Sequence, residues 1–213
     1  KRICTGDCRT LQTQHKTSQL WFLPVGGGKG DTIENKVIAL LILLNNASKF
    51  YDIRKTYHFY VAVEITEYKG MRKDNVTYMK DPKQIKKEIH GVEGDIRCGK
   101  IKADNLIILA GDRLQLGISL KNVDIVTLWN TICSPDAIFQ MLFRSMTEVD
   151  SSAPCLPARF CAKKKFGFMV DMNPQRALMN IQLFENSHST ERAETSEVEL
   201  RRLIGNMVNI DED

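Results

Sequence analysis

The sequence predicts an α/β domain with a mainly parallel sheet flanked by helices on both faces. Short apolar runs typical of strands alternate along the chain with stretches whose apolar residues recur at helical spacing. The first run, Gln19–Val25 (QLWFLPV), is continuously apolar, as in a strand that is buried on both of its faces. Of the 213 residues, 43% are hydrophobic and 26% are charged, so the chain has enough apolar side chains for a sizeable core.

The first strand leads into a turn and a helix. The glycine-rich turn Gly26–Gly30 follows it, and Asp31-Thr32 can cap a helix that runs to about Ala47. Glu34 is placed as the capping-box partner of Asp31. Five apolar residues of this helix recur at helical spacing: Ile33, Val37, Leu40, Leu41 and Leu44.

The later elements follow the same alternation. Four further strands are expected, at His58–Glu64, Leu106–Ala110, Val123–Leu128 and Phe166–Val170. Helices are expected where a residue that favours the N-cap precedes a proline. These are the helix from Asp81-Pro82 to His90, the helix from Ser134-Pro135 to about Met146, and a short helix from Asn173-Pro174 through Ile181.

We expect three segments in the chain. Residues 1–18 form a polar lead-in, residues 19–184 form the domain, and residues 185–213 form a polar linker and an amphipathic helix. Because the chain begins Lys1-Arg2, without Met or a signal segment, we expect it to be a fragment of a longer protein. No membrane role is expected, since the longest apolar run, Val37–Leu44, is too short to cross a bilayer.

Charge is unevenly distributed around a net charge of +4. Residues 69–102 contain ten Lys or Arg against five Asp or Glu, a local +5, whereas residues 191–213 contain seven acids against three bases, a local −4. The basic segment could face a polyanion such as nucleic acid, or it could be an ordinary solvated helix face. The six cysteines lack the paired C-x2-C spacing of a zinc ribbon, which favours reduced thiols in an intracellular protein.

The helix after Ser134 carries Gln140 and Arg144 four positions apart, on one face. We expect this pair beyond the carboxyl ends of the strands, where parallel α/β folds bind ligands. There an Arg144 guanidinium can stabilise the charge of phosphoryl transfer, and Gln140 can hydrogen-bond a phosphate, a ribose or the arginine. The alternative is an exposed polar face without a ligand. Four apolar residues of the helix are expected to face the sheet: Ile138, Met141, Leu142 and Met146.

The segment before this helix, LAGDRLQLGISLKNVDIV, resembles motif V of superfamily 2 helicases. That motif consists of a strand, a turn, a Gly-Ile/Leu-Asp/Asn-Leu element and a strand that opens Val-Asp-Ile-Val. The element corresponds here to Gly117–Leu120. The helix resembles motif VI, Gln-x-x-Gly-Arg-x-x-Arg, with Gln140 and Arg144 at its first Gln and first Arg. QLWFLPVGGG is placed like motif IV, so the resemblance covers roughly residues 19–182.

QMLFRSMTE and KKFGFMVDMNPQR are similar to the corresponding segments of helicases from nucleocytoplasmic large DNA viruses, in the African swine fever virus, iridovirus and poxvirus range. The resemblance implies the C-terminal, second RecA-like domain of an ATP-dependent viral helicase. Such a protein would belong to the virion and the host cell cytoplasm, with a role in transcription or replication.

The resemblance also implies specific site residues. Arg144 would meet the γ-phosphate of ATP, Gln140 would help to position it, and Gly117 and Ser119 would belong to the nucleotide site. Nucleic acid, with DNA favoured over RNA, would follow the loops after two strands. Six residues of these loops would contact it: Gly26, Gly27, Gly28, Gly111, Arg113 and Gln115.

Three residues depart from these motifs. Phe143 occupies the Gly position of motif VI, Thr147 occupies its final Arg position, and Ser119 replaces the usual Asp or Asn of motif V. Either Arg144 alone serves as the arginine finger, therefore, or another arginine supplies it. The candidates for that second arginine are Arg113, Arg159 and Arg176.

The phosphate-binding half of an ATP site is not in this sequence. GGGKG does not fit a Walker A motif, because Gly30 follows Lys29 and Leu23 stands where the first Gly is required. No Asp-Glu pair ends an apolar strand, so a magnesium-binding Walker B motif is not found either. We expect an upstream P-loop domain of the same protein to hold most of the ATP and Mg²⁺, and residues 1–213 to be inactive alone.

A second hypothesis is a non-catalytic RecA-like scaffold that docks onto proteins of a viral transcription or replication complex. The basic segment and the terminal amphipathic helix, over about Ser196–Val208, would then bind partners. A third hypothesis, a doubly wound nucleotide-binding enzyme domain, is disfavoured because no G-x-G-x-x-G follows a strand.

Overall fold

The computed structural model describes residues 18–26, 31–46, 48–65, 75–111, 122–147 and 167–173, with Leu114, Leu120, Arg176 and Met179. One compact unit, Lys16–Met172, contains every strand and helix named below. A second unit combines Lys1–His15 with Asn173–Asp213, and only Asn173, Arg176 and Met179 of it are described. The predicted helix over Ser196–Val208 lies outside the described residues, as does the predicted lead-in apart from Ser18.

Six strands of the described chain form one sheet in which every pair of neighbours is parallel. They are β1 (Ser18–Phe22), β2 (Tyr57–Ala62), β3 (Val76–Tyr78), β4 (Asn105–Ala110), β5 (Val123–Leu128) and β6 (Phe168–Asp171). Their order is β3-β2-β4-β1-β5-β6. The predicted α/β class is therefore confirmed, and the arrangement is consistent with a RecA-like fold.

Four α-helices of the described residues accompany the sheet: α1 (Ile33–Asn46), α2 (Tyr51–Thr56), α3 (Ile85–Arg97) and α4 (Pro135–Met146). Two short 3₁₀ turns, Ser48–Phe50 and Pro82–Gln84, precede α2 and α3. We call the end of the sheet where the strands finish the carboxyl edge and the opposite end the amino edge. Because the strands are parallel, every strand leaves the sheet at the carboxyl edge.

Helices cover both faces of the sheet. On one face, Leu20 and Phe22 of β1 pack in a cluster that includes Ile89 of α3 and Met141 of α4. The other face carries a second cluster, in which Leu109 of β4 packs with three residues of α1: Val37, Leu41 and Leu44. Alternate residues of β1 and β4 thus enter opposite clusters, which explains why these strands are apolar at successive positions.

The N-terminus of α1 differs in detail from the prediction. The helix begins at Ile33, so Thr32 is the N-cap, and its Oγ1 accepts a hydrogen bond from the N–H of Asn35 at 3.2 Å. Asp31 lies one residue too early to cap, and its carboxylate pairs with Lys36 at 3.0 Å. Of the predicted capping pair Asp31-Thr32, Thr32 is therefore confirmed as the cap, whereas Asp31 forms an ion pair with Lys36.

The segment after β2 contains more structure than the sequence predicted. Strand β3 has only three residues, and α3 continues seven residues beyond the predicted end at His90. Asp81 does cap the segment, since its Oδ1 accepts from the N–H of Lys83 at 2.9 Å. Gly91 and Gly94 are unfavourable inside a helix, but the helix persists through them because four residues at helical spacing pack against the sheet. These are Ile85, Ile89, Val92 and Ile96.

A buried carboxylate joins three parts of the amino edge. Glu93 of α3 accepts a hydrogen bond from Asn122 Nδ2 at 2.6 Å, just before β5, and its Oε2 lies 3.1 Å from His90 Nδ1. Ser18 Oγ, at the start of β1, lies 3.5 Å from Glu93 Oε1. A buried charge is costly unless it is hydrogen-bonded, so these contacts hold α3 against the starts of β1 and β5.

His58 of β2 is a second buried polar group, with only 3% of its surface exposed. Its Nε2 lies 2.9 Å from Thr77 Oγ1 on β3, and its Nδ1 has no hydrogen-bond partner within the described part of the chain. Burial lowers the pKa of His58 from 6.5 to about 4. The imidazole is therefore neutral at pH 7, and protonation would place a charge in the core.

This burial makes stability depend on pH. Above pH 6.5 His58 is neutral in both the folded and the unfolded chain. As the pH falls from 6.5 to about 4, only the unfolded chain gains the proton, so His58 should cost up to roughly 3 kcal/mol of stability across that window. Urea unfolding of wild type and His58→Gln at pH 7.0, 5.5 and 4.5 measures the loss. Equal pH slopes for the two proteins would contradict the assignment.

Candidate nucleotide and nucleic-acid sites

Gly26 and Gly111, two predicted nucleic-acid contacts, lie at the carboxyl edge beside the start of α1. Gly111 directly follows β4, and Gly26 lies four residues beyond the end of the neighbouring strand β1. A Cβ at Gly26 would overlap the backbone carbonyl of Asp31, and one at Gly111 would overlap the end of the Ile33 side chain. Both glycines let the loops close on the first turn of α1, which by itself accounts for glycine at these positions.

The remaining predicted loop residues lie outside the described chain. They are Gly27, Gly28, Arg113, Gln115, Gly117 and Ser119. The loop between β4 and β5 is nonetheless anchored at described points, because Leu114 and Leu120 are buried in the cluster that also contains Ile138. The carbonyl of Leu120 also accepts a hydrogen bond from the N–H of Val123 at 3.4 Å, where β5 begins.

Gln140 and Arg144 of helix α4 differ in how far their side chains are exposed. Ile138, Met141 and Ser145 are its buried residues, Gln140 is exposed, and Arg144 is half-buried. Burial lowers the pKa of Arg144, although a guanidinium keeps its charge at neutral pH. The predictions for Ile138 and Met141 are confirmed. The prediction for Met146 was wrong, because it is 55% exposed and Ser145 takes the inward position.

Arg144 lies near the amino edge of the sheet. It belongs to the last turn of α4, and the carbonyl of the next residue, Ser145, closely approaches Gly167, directly before β6. The helix starts after the carboxyl end of β5 and runs back along the sheet, so twelve residues return the chain to the amino edge. The sequence-based placement of Arg144 beyond the carboxyl ends of the strands was therefore wrong.

The predicted site residues thus fall into two separate groups. Gly26 and Gly111 contact the start of α1, whose buried residues pack on one face of the sheet. Gln140 and Arg144 are carried by α4, which packs on the other face. Of the predicted contacts that the structure describes, therefore, the two at the carboxyl edge and the two on α4 do not come together.

Thr147, at the final arginine position of motif VI, has a local structural contact. Its hydroxyl donates to the carbonyl of Phe143 at 3.2 Å, at the C-terminus of α4. Of the arginines that could replace the missing one, Arg176 is 1% exposed and its N–H donates to Asn173 Oδ1 at 3.2 Å. Arg113 and Arg159 lie outside the described residues.

Exposed lysines gather where the chain enters α3, a grouping that the charge count of residues 69–102 indicated only coarsely. The group, called here the α3 lysines, is Lys80, Lys83, Lys86 and Lys87. Lys83, Lys86 and Lys87 form no ion pair with any residue of the described ranges. By contrast, Lys36 and Lys100 are paired with Asp31 and Asp95.

Two carboxylates lie among the α3 lysines, Asp81 and Glu88, and both accept hydrogen bonds from groups other than the lysine ammonium groups. Asp81 accepts from the N–H of Lys83, and Glu88 accepts from the N–H groups of Lys80 and Asp81 and from the Tyr60 hydroxyl, at 2.9–3.0 Å. Burial alone would raise the pKa of Glu88, but these donors outweigh it and the pKa is lowered. Because positive charge opposes the helix dipole at an N-terminus, lysines here are unfavourable for the helix itself.

No group of three or more His, Cys, Asp or Glu side chains that could hold a metal ion occurs among the described residues. The Mg²⁺ implied by the helicase resemblance therefore has no set of ligands in that part of the chain. No helix within the described ranges is both long and apolar enough to cross a membrane.

No protein-family model matches the chain, and no curated protein matches it.

Gly26 provides a test of packing against function. Gly26→Ala should destabilise the domain by about 1–3 kcal/mol, because the added Cβ forces the backbone away from the Asp31 carbonyl. Gly91→Ala is the matched control: a Cβ there meets no atom within 4 Å and should stabilise α3 by about 0.5–1 kcal/mol. Urea unfolding measures both. If Gly26→Ala weakened nucleic-acid binding at unchanged stability, the packing explanation would fail.

Proposed function

We propose that this chain is the second RecA-like domain of an ATP-dependent, virus-type superfamily 2 helicase. The observation that carries the proposal is the order β4, loop, β5, α4 on an all-parallel sheet, with the motif V-like and motif VI-like residues in the order of that family. In the complete enzyme an upstream P-loop domain would hold ATP and Mg²⁺. This chain would contribute Arg144 and part of a nucleic-acid track.

The surroundings of Arg144 support a role at an interface between domains. Phe139 and Phe143, on the same helix, are 44% and 57% exposed, and their rings stack with centroids 6.5 Å apart. A domain that covered these rings would remove water from the neighbouring guanidinium. The attraction between the guanidinium and a phosphate would then strengthen, because the local dielectric constant would fall. Arg144 would act on a nucleotide held by the covering domain.

The α3 lysines support the nucleic-acid part of the proposal. They lie where the chain passes from the carboxyl edge of β3 into α3, at the same edge as Gly26 and Gly111. Cations that neutralise nucleic-acid phosphates release bound counterions, which gives binding a steep dependence on salt. We therefore propose that the phosphates of the track contact Lys83, in the 3₁₀ turn before α3, and Lys87, in the first turn of α3, rather than the glycine loops alone.

The exposed rings of α4 also favour the second candidate, a non-catalytic docking domain. Phe139, Phe143 and Met146 follow helical spacing on the outer surface and form an apolar stripe. A protein partner of a transcription or replication complex could cover this stripe without any nucleotide. The two candidates differ in their need for Arg144 and the lysines, and the two experiments below separate them.

The first experiment tests the nucleic-acid track. For an oligo(dT) probe, Lys83→Gln/Lys87→Gln should lower the slope of log K against log salt by about 1.4, or 0.7 for each lost phosphate contact on a single strand. Lys36→Gln/Lys100→Gln removes the same charge from residues already paired with carboxylates, and its slope should stay near that of wild type. Fluorescence anisotropy from 50 to 300 mM salt provides the measurement. Salt-independent binding would support the docking domain instead.

The second experiment tests Arg144 in a protein that also contains the P-loop domain. Arg144→Ala should lower ATP turnover by about a thousand-fold, the lower end of the effect of an arginine finger, with nucleotide affinity largely retained. Arg144→Lys keeps the charge but loses the planar fork, so it should recover only part of the rate. Steady-state phosphate release gives the rates. Unchanged turnover in Arg144→Ala would remove Arg144 from the mechanism.

A further inference from the structure

Trp129 occupies an unusual position for a tryptophan. From the sequence, Trp21 and Trp129 are expected to lie in strands and to be core residues rather than base-stacking platforms, but β5 ends at Leu128 and Trp129 follows it at the carboxyl edge. The side chain is 41% exposed. Its backbone is held by the sheet, because its N–H donates to the carbonyl of Phe22 at 2.9 Å. The backbone that carries this large aromatic side chain is thus fixed, while the side chain itself is partly exposed.

The Trp129 indole is the last member of a row of side chains in contact. The Trp21 and Trp129 rings lie with centroids 5.9 Å apart at an angle of 44°. Trp21 Nε1 donates to Gln19 Oε1 at 3.0 Å, and Gln19 Nε2 donates to the Tyr57 hydroxyl at 3.2 Å. The row thus extends from Tyr57 on β2 to Trp129 after β5. Little conformational entropy remains to be lost when a ligand packs on such an indole.

The location also favours a ligand. The connection after β1 passes to α1 on one face, and the connection after β5 passes to α4 on the other. Neighbouring strands whose connections diverge in this way open a crevice at their carboxyl ends, where open α/β sheets bind ligands. Trp129 stands at that crevice. The α3 lysines follow β3 at the same edge, and β3 lies four strand spacings, about 19 Å, from β5.

We propose that Trp129 is the stacking platform for one unpaired base of a single-stranded nucleic acid that crosses the carboxyl edge while its phosphates contact the α3 lysines. The inference rests on the proposed function and adds to it a base-binding residue. Aromatic rings accept any base, because every base has a π face, so the platform holds a strand without reading its sequence. DNA and RNA share this chemistry, and oligo(dT) and oligo(rU) probes distinguish them.

The chain suits a fluorescence test, since it contains only two tryptophans. In Trp21→Phe, Trp129 is the single indole, and oligo(dT) should quench its emission on binding. An abasic oligonucleotide of the same length carries the same phosphates without bases and should bind through the lysines without quenching. The preferred nucleic acid is the one, of oligo(dT) and oligo(rU), that quenches at the lower concentration.

Binding of the full 213-residue chain gives an independent measurement. Trp129→Ala should weaken oligo(dT) binding by at least about five-fold, the effect of losing one stacked base. The affinity of Trp129→Ala for the abasic probe should match that of wild type, because no phosphate contact is removed. The slope of log K against log salt should also be the same in the two proteins. Trp129→Phe keeps an aromatic face and should bind nearly as well as wild type, which also guards against misfolding of the alanine variant.

Two results would overturn the inference, and they are distinguishable. In the first, oligo(dT) binds with a steep salt slope, but it does not quench Trp129 and its affinity is unchanged in Trp129→Ala and Trp129→Phe. The stacking role would then be wrong, and the proposed nucleic-acid track would remain. If neither oligo(dT), oligo(rU) nor the abasic probe bound, the track itself would be wrong, and the stacking role with it.

Discussion

The position of β1 between β4 and β5, with helices on both faces of the sheet, is the constraint on which the rest of the structure depends. The N–H and C=O groups of β1 are paired to β4 on one side and β5 on the other, so water reaches the strand only where helices fail to cover it. Covering both faces requires α1 on one and α3 with α4 on the other. Once the helices are so divided, the connections diverge at the carboxyl edge and α4 must return its last turn to the amino edge.

The separation of the two groups of candidate residues follows from this constraint. A residue that directly follows a strand lies at the carboxyl edge, whereas a residue in the last turn of the next helix lies near the amino edge. Gly111 belongs to the first kind and Arg144 to the second. Among the described residues, the candidate nucleic-acid contacts and the candidate nucleotide contacts therefore lie on different surfaces of the domain. That arrangement is consistent with a chain that completes an ATP site on another domain.

Most strands could be predicted from the sequence, because a continuous apolar run bounded by turn residues is typical of a buried strand. Val123–Leu128 was predicted to the residue, and β1, β2, β4 and β6 to within three residues at either end. Strand β3 was missed because three residues show no period, and α3 was cut short because Gly91 and Gly94 have poor helix propensity. The exposure of Trp129 and Met146 could not be predicted even though the ends of β5 and α4 were, because it depends on which side chains of other elements cover them.

The hydrogen bond between Asn122 and Glu93 has a mechanical consequence. Asn122 is the last residue before β5, at the end of the connection that carries Gly117–Leu120, and Glu93 belongs to α3, which also carries Lys86 and Lys87. The carboxylate is buried, so breaking the contact with Asn122 would cost free energy and leave it with His90 and Ser18 as its remaining partners among the described residues. The end of that connection and α3 therefore form a stiff linkage. A displacement of the end of this connection would therefore move α3 as well.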